Sequence, residues 1–132
     1  MKTFSQSLLV SLLLIIAAPA FSAAKTQAVQ IFECEFNGDA GSAELLKVTS
    51  SWIKAARNTK GGKDIDVAIR FPIAEGGDAG GDFRFVIVFP SFAAWGEFTD
   101  AYEGSEVEGA DKDLFKIADC GQSTIWEGIH TL

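Results

Sequence analysis

The sequence holds one histidine, His130, and one methionine, the initiator, among its 132 residues. So small a supply of imidazole and thioether excludes most transition-metal sites. One histidine with carboxylates is also a poor zinc set, and no metal or cofactor is expected. No G-x-S-x-G occurs, and His130 lies close to the end of the chain, where termini fray. A serine nucleophile would have neither elbow nor base, and His130 reads as a strand-end residue. Basic side chains are scarce as well: 11 stand against 18 acidic ones, for a net charge of −7. A surface of that sign repels phosphate, which excludes nucleic acid as a partner. The length excludes a multidomain machine.

Long apolar runs are absent except at the start. Lys2 supplies a positive n-region, and Leu8 to Ala18 is apolar apart from Ser11. Ala18-Pro19-Ala20 and Ala20-Phe21-Ser22 follow with the small-x-small pattern of a cleavage site. The run is too short to span a bilayer, which takes roughly 20 apolar residues. The reading is a signal peptide over 1–23 and one domain over 24–132, secreted or periplasmic, with no membrane association after cleavage. Loss of Lys2 takes the net charge from −7 to −8. The acidity is uneven: residues 97–127 carry 9 acidic side chains and only Lys112 and Lys116. That stretch reads as a solvated face that keeps the protein soluble.

Only two cysteines are present and they form no C-x-x-C, so a redox motif is excluded. In an exported domain they are expected to form one structural disulfide, Cys34–Cys120, closing nearly the whole mature chain.

What is there follows two periodicities. Val29–Phe36 alternates, with Phe32, Cys34 and Phe36 on one face. Ser42 is placed to cap a helix whose stripe is Leu45, Val48, Trp52 and Ala55 or Ala56, ended near Arg57 by Gly61-Gly62. Ile65–Ile73 and Phe83–Phe89 are alternating strands around a glycine-rich hairpin loop. Ser91 caps a second helix carrying Phe92, Trp95, Phe98 or Thr99, and Tyr102. Asp111–Asp119 forms a short third helix with Leu114, Ile117 and Ala118 inward. Gly121 breaks it, and Ser123–Leu132 is the last strand. Trp52 and Trp95 fall on helix stripes and Trp126 on the Cys34 face, so all three are assigned to core packing.

The order is β-α-β-β-α-(α)-β, an α+β ferredoxin-like antiparallel sheet with helices on one face. In that topology the end of the first strand meets the start of the last, which brings Cys34 to Cys120 independently of the compartment argument. Over residues 28–132 this order, with its short helix before the last strand, resembles the dimeric α/β-barrel superfamily. That superfamily includes antibiotic-biosynthesis-type monooxygenases, haem-degrading enzymes and stress-responsive barrel proteins. The resemblance implies protomers paired through their open sheet faces and a small-molecule pocket between sheet and helices. It carries no functional residue with it.

The face away from the helices should carry Val29, Ile31, Glu33 and Glu35 from the first strand. Asp66, Ala68 and Arg70 should join from the second, Arg84, Val86 and Val88 from the third, and Ile125, Glu127 and Ile129 from the last. Apolar strips broken by charges fit a face that meets a protein surface, hence a homodimer. Arg70 and Arg84 flank the hairpin loop on that face. With Glu127 as the nearest carboxylate they form either an internal ion pair or a site for a small anion. Glu75, Asp78 and Asp82 match no calcium-loop spacing and read as a solvated turn; Glu103, Glu106, Glu108, Asp111 and Asp113 read likewise. The expected function is an exported domain that binds a small anionic or apolar ligand or a protein partner, without evident catalytic machinery. The alternative implied by the resemblance is a small monooxygenase-like enzyme acting on an aromatic substrate or haem.

Overall fold

The computed structural model describes residues 25–73 and 81–129. Strand β1 (Thr26–Phe36) leads through a turn at Asn37-Gly38 to helix α1 (Ser42–Asn58). Strands β2 (Asp66–Arg70) and β3 (Phe83–Phe89) follow, then helices α2 (Phe92–Asp100) and α3 (Glu106–Ile117), and finally strand β4 (Ala118–Ile129). The strands lie in the order β2-β3-β1-β4, every neighbouring pair antiparallel. This is the ferredoxin-like arrangement that the element order implied.

The core lies between one sheet face and the three helices. Ala28, Cys34, Phe83, Phe85, Ile87 and Phe89 point up from the sheet, and Leu45, Trp52, Ala56, Phe98, Val107 and Leu114 point down from the helices. The alternation in β1 and β3 dictates the first set; the helical recurrence dictates the second. Burying each large side chain stabilises the domain by roughly 1.5–3 kcal/mol.

Helix ends account for most boundary differences. The residue capping α1 is Gly41, with no side-chain bond, and Ser42 is the first helical residue. Ser91 caps α2 as expected, accepting from the Ala94 N–H at 3.1 Å. Helix α3 starts five residues earlier than expected because Ser105 caps it, accepting from the Glu108 N–H at 3.4 Å. Glu108 in turn accepts from the Gly104 N–H at 2.8 Å, a close variant of the capping box. Gly61 has a φ of +77°, and a Cβ there would stand 2.3 Å from the Ala94 carbonyl oxygen, so only glycine lets this turn press against α2.

Strand β4 departs most from expectation. It begins at Ala118, directly after α3, and Gly121 lies inside it. Cys34 pairs with Cys120, but Phe32 pairs with Ser123, so β1 advances two residues while β4 advances three. The extra residue is a β-bulge, and it exchanges the two faces of everything beyond it. Ile125, Glu127 and Ile129 therefore lie on the helix side, opposite Gln30, Ala28 and Thr26, not on the open face. Trp126 lies on the open face opposite Val29 and is 59% exposed, so it is no part of the core.

Candidate functional site: a cavity between sheet and helices

The helices do not close completely on the sheet. A cavity of about 300 Å³ remains, floored by Gln30 and Phe32 of β1 and Phe85 and Ile87 of β3. Trp52, Phe98, Leu114 and Phe115 form its apolar walls, with Thr99, Tyr102, Asp111 and Cys120 at the margins. Trp52 meets Phe85 edge-on at 5.3 Å between ring centroids and is tilted against Phe98 at 6.4 Å. These contacts fix the ring faces that border the space.

Three helical segments converge on one carboxylate. Asp111 of α3 accepts from the Trp52 indole Nε1–H of α1 at 2.5 Å, and its other oxygen accepts from the Tyr102 hydroxyl just beyond α2. The Ser105 cap holds this corner: its hydroxyl donates to the Tyr102 carbonyl at 2.6 Å and starts α3 in the phase that turns Asp111 inward. Burial pushes the Asp111 carboxyl above its ordinary pKa, opposed by the hydrogen bonds from Tyr102 and Trp52 and assisted by the charge of Glu108. Burial also drives the Tyr102 phenol well above its usual range, with further push from its bond to Asp111 and from the charges of Asp111 and Glu108. Tyr102 thus acts here as a hydrogen-bond donor to Asp111.

The carboxylate differs from the solvated surface expected of it, and Trp52 does more than pack. The sequence did hold a signal: Trp52 and Tyr102 sit on the inward stripes of two helices, and a buried indole N–H or phenol needs an acceptor. Asp111, three residues before inward-facing Leu114, was the acidic side chain in helical phase to supply it.

The other sequence-derived residues are placed as follows. Arg70 stands directly opposite Arg84 across β2 and β3 on the open face. Arg84 forms an ion pair with Glu33, its register partner on β1, at 3.3 Å. Glu127 does not join them, because the bulge turns it to the helix side. Cys34 and Cys120 form the disulfide, tying β1 to β4. Asp82 accepts from the Phe36 N–H at 2.8 Å and closes the end of β1; Glu75, Asp78, His130 and residues 1–23, where a signal peptide is expected, lie outside the described residues. Among the described residues no cluster of metal-binding side chains occurs, and no helix is long and apolar enough to cross a membrane. Among the described residues the cavity lining offers haem no axial ligand: it holds no histidine or methionine, Cys120 is oxidised, and the Tyr102 hydroxyl is engaged by Asp111.

The sheet order and the helices on one face define a ferredoxin-like α+β fold. Two solved structures share it. Hydroxynitrile lyase from Passiflora edulis superposes with a TM-score of 0.52 at 10% identity, over 82% of this chain and 95% of that one. SnoaB, a cofactor-independent oxygenase from Streptomyces nogalater, superposes with a TM-score of 0.50 at 14% identity, over 83% and 98%. A dimeric protein of unknown function and ferredoxin-like fold from Bacteroides fragilis gives a TM-score of 0.43 at 12% identity, over 80% and 97%. At such identities the likeness is one of fold. No protein-family model and no curated protein matches the sequence.

Proposed function

We propose that this is an exported binding domain that takes a small, largely apolar molecule into the cavity between its sheet and helices. The carrying observation is the cavity itself: about 300 Å³ with aromatic and aliphatic walls and polar groups gathered at one end. Space of that size and lining is the usual form of a small-molecule site, where apolar walls supply affinity and a few polar groups fix orientation. Trp52 borders the space and gives a direct readout. Leu114→Trp, which fills the cavity from α3, should abolish the ligand-induced change in fluorescence while the protein stays folded. Unchanged binding by that variant would remove the proposal.

A second reading places chemistry in the same cavity. Its support is Asp111, a carboxylate at the cavity margin whose proton affinity is raised by burial, the condition that suits a general base. The two fold neighbours described as a lyase and an oxygenase keep that reading open. Turnover that survives Asp111→Asn would dismiss it.

The open sheet face supports the homodimer. Ile31, Ala68 and Val86 align across β1, β2 and β3, and Val29, Val88 and Trp126 form a second row. The disulfide supports an oxidising compartment, which agrees with export. Arg70 is the remaining candidate for an anion, since among the described residues no carboxylate lies within ion-pair distance of it.

A further inference from the structure

A carboxyl side chain lies in the lining of the cavity. Among the described residues Asp111 is the single carboxylate in that lining, and its hydrogen-bond partners, the indole of Trp52 and the phenol of Tyr102, are both uncharged. Among the described residues no lysine or arginine forms an ion pair with it. The Lys112 ammonium, next in sequence, pairs with Glu108 instead, at 3.9 Å. When ionised, Asp111 is thus a negative charge at an apolar space that meets neutral donors only. A carboxylate offers about four lone-pair directions, and two are filled here, so acceptor capacity remains.

We propose that Asp111 anchors a cationic amine, and that the ligand class is a single-ring or compact alkyl ammonium whose hydrocarbon part lies among Trp52, Phe85 and Phe98. This rests on the reading of the cavity as a binding site and specifies its ligand. Two features select a cation. An ammonium group supplies the missing counter-charge as a charge-assisted hydrogen bond, stronger than one from a neutral donor. The charge of Glu108 acts on Asp111 and adds to the negative field at this corner, which favours a cation over an anion. Tyr102, whose proton is committed to Asp111, holds the carboxylate in place and leaves its own oxygen lone pairs available to a second ammonium hydrogen.

The test is calorimetry on the disulfide-bonded protein with three probes of one shape: 2-phenylethylamine, 2-phenylethanol and phenylacetate. The amine should bind saturably and roughly tenfold or more tighter than the alcohol, as expected when a charged hydrogen bond replaces a neutral one. Phenylacetate should bind weakest. Asp111→Asn, checked for folding by its near-ultraviolet circular dichroism, should reduce the amine to the affinity of the alcohol and leave the alcohol unchanged. Equal binding of amine and alcohol by the unmodified protein would overturn the amine assignment while leaving the cavity a binding site. Tightest binding of phenylacetate would overturn it too. Binding of none of the three would remove the cavity reading and this assignment together.

Discussion

Arg70 and Arg84 face each other across the β2–β3 ladder, two guanidinium groups in directly opposed positions on the open side of the sheet. Like charges so placed destabilise a sheet. Glu33, on the far side of Arg84, relieves one of them through a half-exposed ion pair that contributes little by itself. Arg70→Glu should therefore stabilise the fold by about 0.5 kcal/mol, by turning the opposed pair into an attractive one. Urea unfolding at low salt measures it, and the gain should shrink as salt rises. A loss of stability would show that Arg70 already has a counter-charge.

The Asp111 carboxyl has a raised pKa in the folded protein, chiefly through burial. A folded-state pKa above the unfolded one means that the native state holds the proton more tightly. The contribution to stability is thus full below the unfolded value of about 3.9, falls as pH rises through the folded value, and is constant beyond it. Asp111→Asn cannot titrate, so its stability relative to the unmodified protein should improve with pH across that acidic window and then level off. Tyr102, Trp52 and Glu108 face the carboxyl and set the shift. Thermal melts of both proteins from pH 3 to 7 give the difference; a difference that is flat with pH would show an Asp111 of ordinary acidity.

The open face predicts association. Val88→Asp with Trp126→Glu should give a folded monomer where the unmodified protein is a dimer, because both residues stand in the same row across β3, β1 and β4. Light scattering at micromolar concentration decides it. An unmodified protein that is already monomeric there would end the dimer reading.

Removal of the disulfide should be costly. Cys34 and Cys120 are 86 residues apart in sequence, and the unfolded chain that they close is long. Cys34→Ala with Cys120→Ala should lower the unfolding free energy by about 4 kcal/mol on the chain-entropy account. Guanidinium melts of the variant and of the native protein, with and without reductant, measure it; no difference would mean that β4 holds its place by pairing alone.

Much of the fold was legible because the strands other than β4 and the helix stripes obey simple periods. Phe83, Phe85, Ile87 and Phe89 announce their face by alternation, and Leu45, Trp52 and Ala56 announce theirs by helical recurrence. Cys34 and Cys120 were placed together by topology, and the opposition of Arg70 and Arg84 was one of the registers the strands allow. The bulge in β4 was not legible. Alternation describes a strand only up to an inserted residue, and Gly121-Gln122-Ser123 shows no pattern that locates one. Glu127 was accordingly assigned to the arginines and Trp126 to the core. The carboxylate site was hidden for a different reason. Asp111 lies in an acidic run whose other members are mostly solvated, and only the three-dimensional meeting of α1, the end of α2 and α3 singles it out.

The bulge also sets how much empty space the molecule contains. Had the pairing of Cys34 with Cys120 continued in step, Trp126 would stand opposite Ala28, on the same side of the sheet as the cavity floor. An indole there would compete with any guest for the region beneath the helices. One surplus residue in an edge strand turns that ring outward, toward the open face where a second copy is proposed to pack. The vacancy inside and the aromatic surface outside are thus set by the same local event. Deleting Gln122 should exchange them, giving a protein with less room within and less to present without.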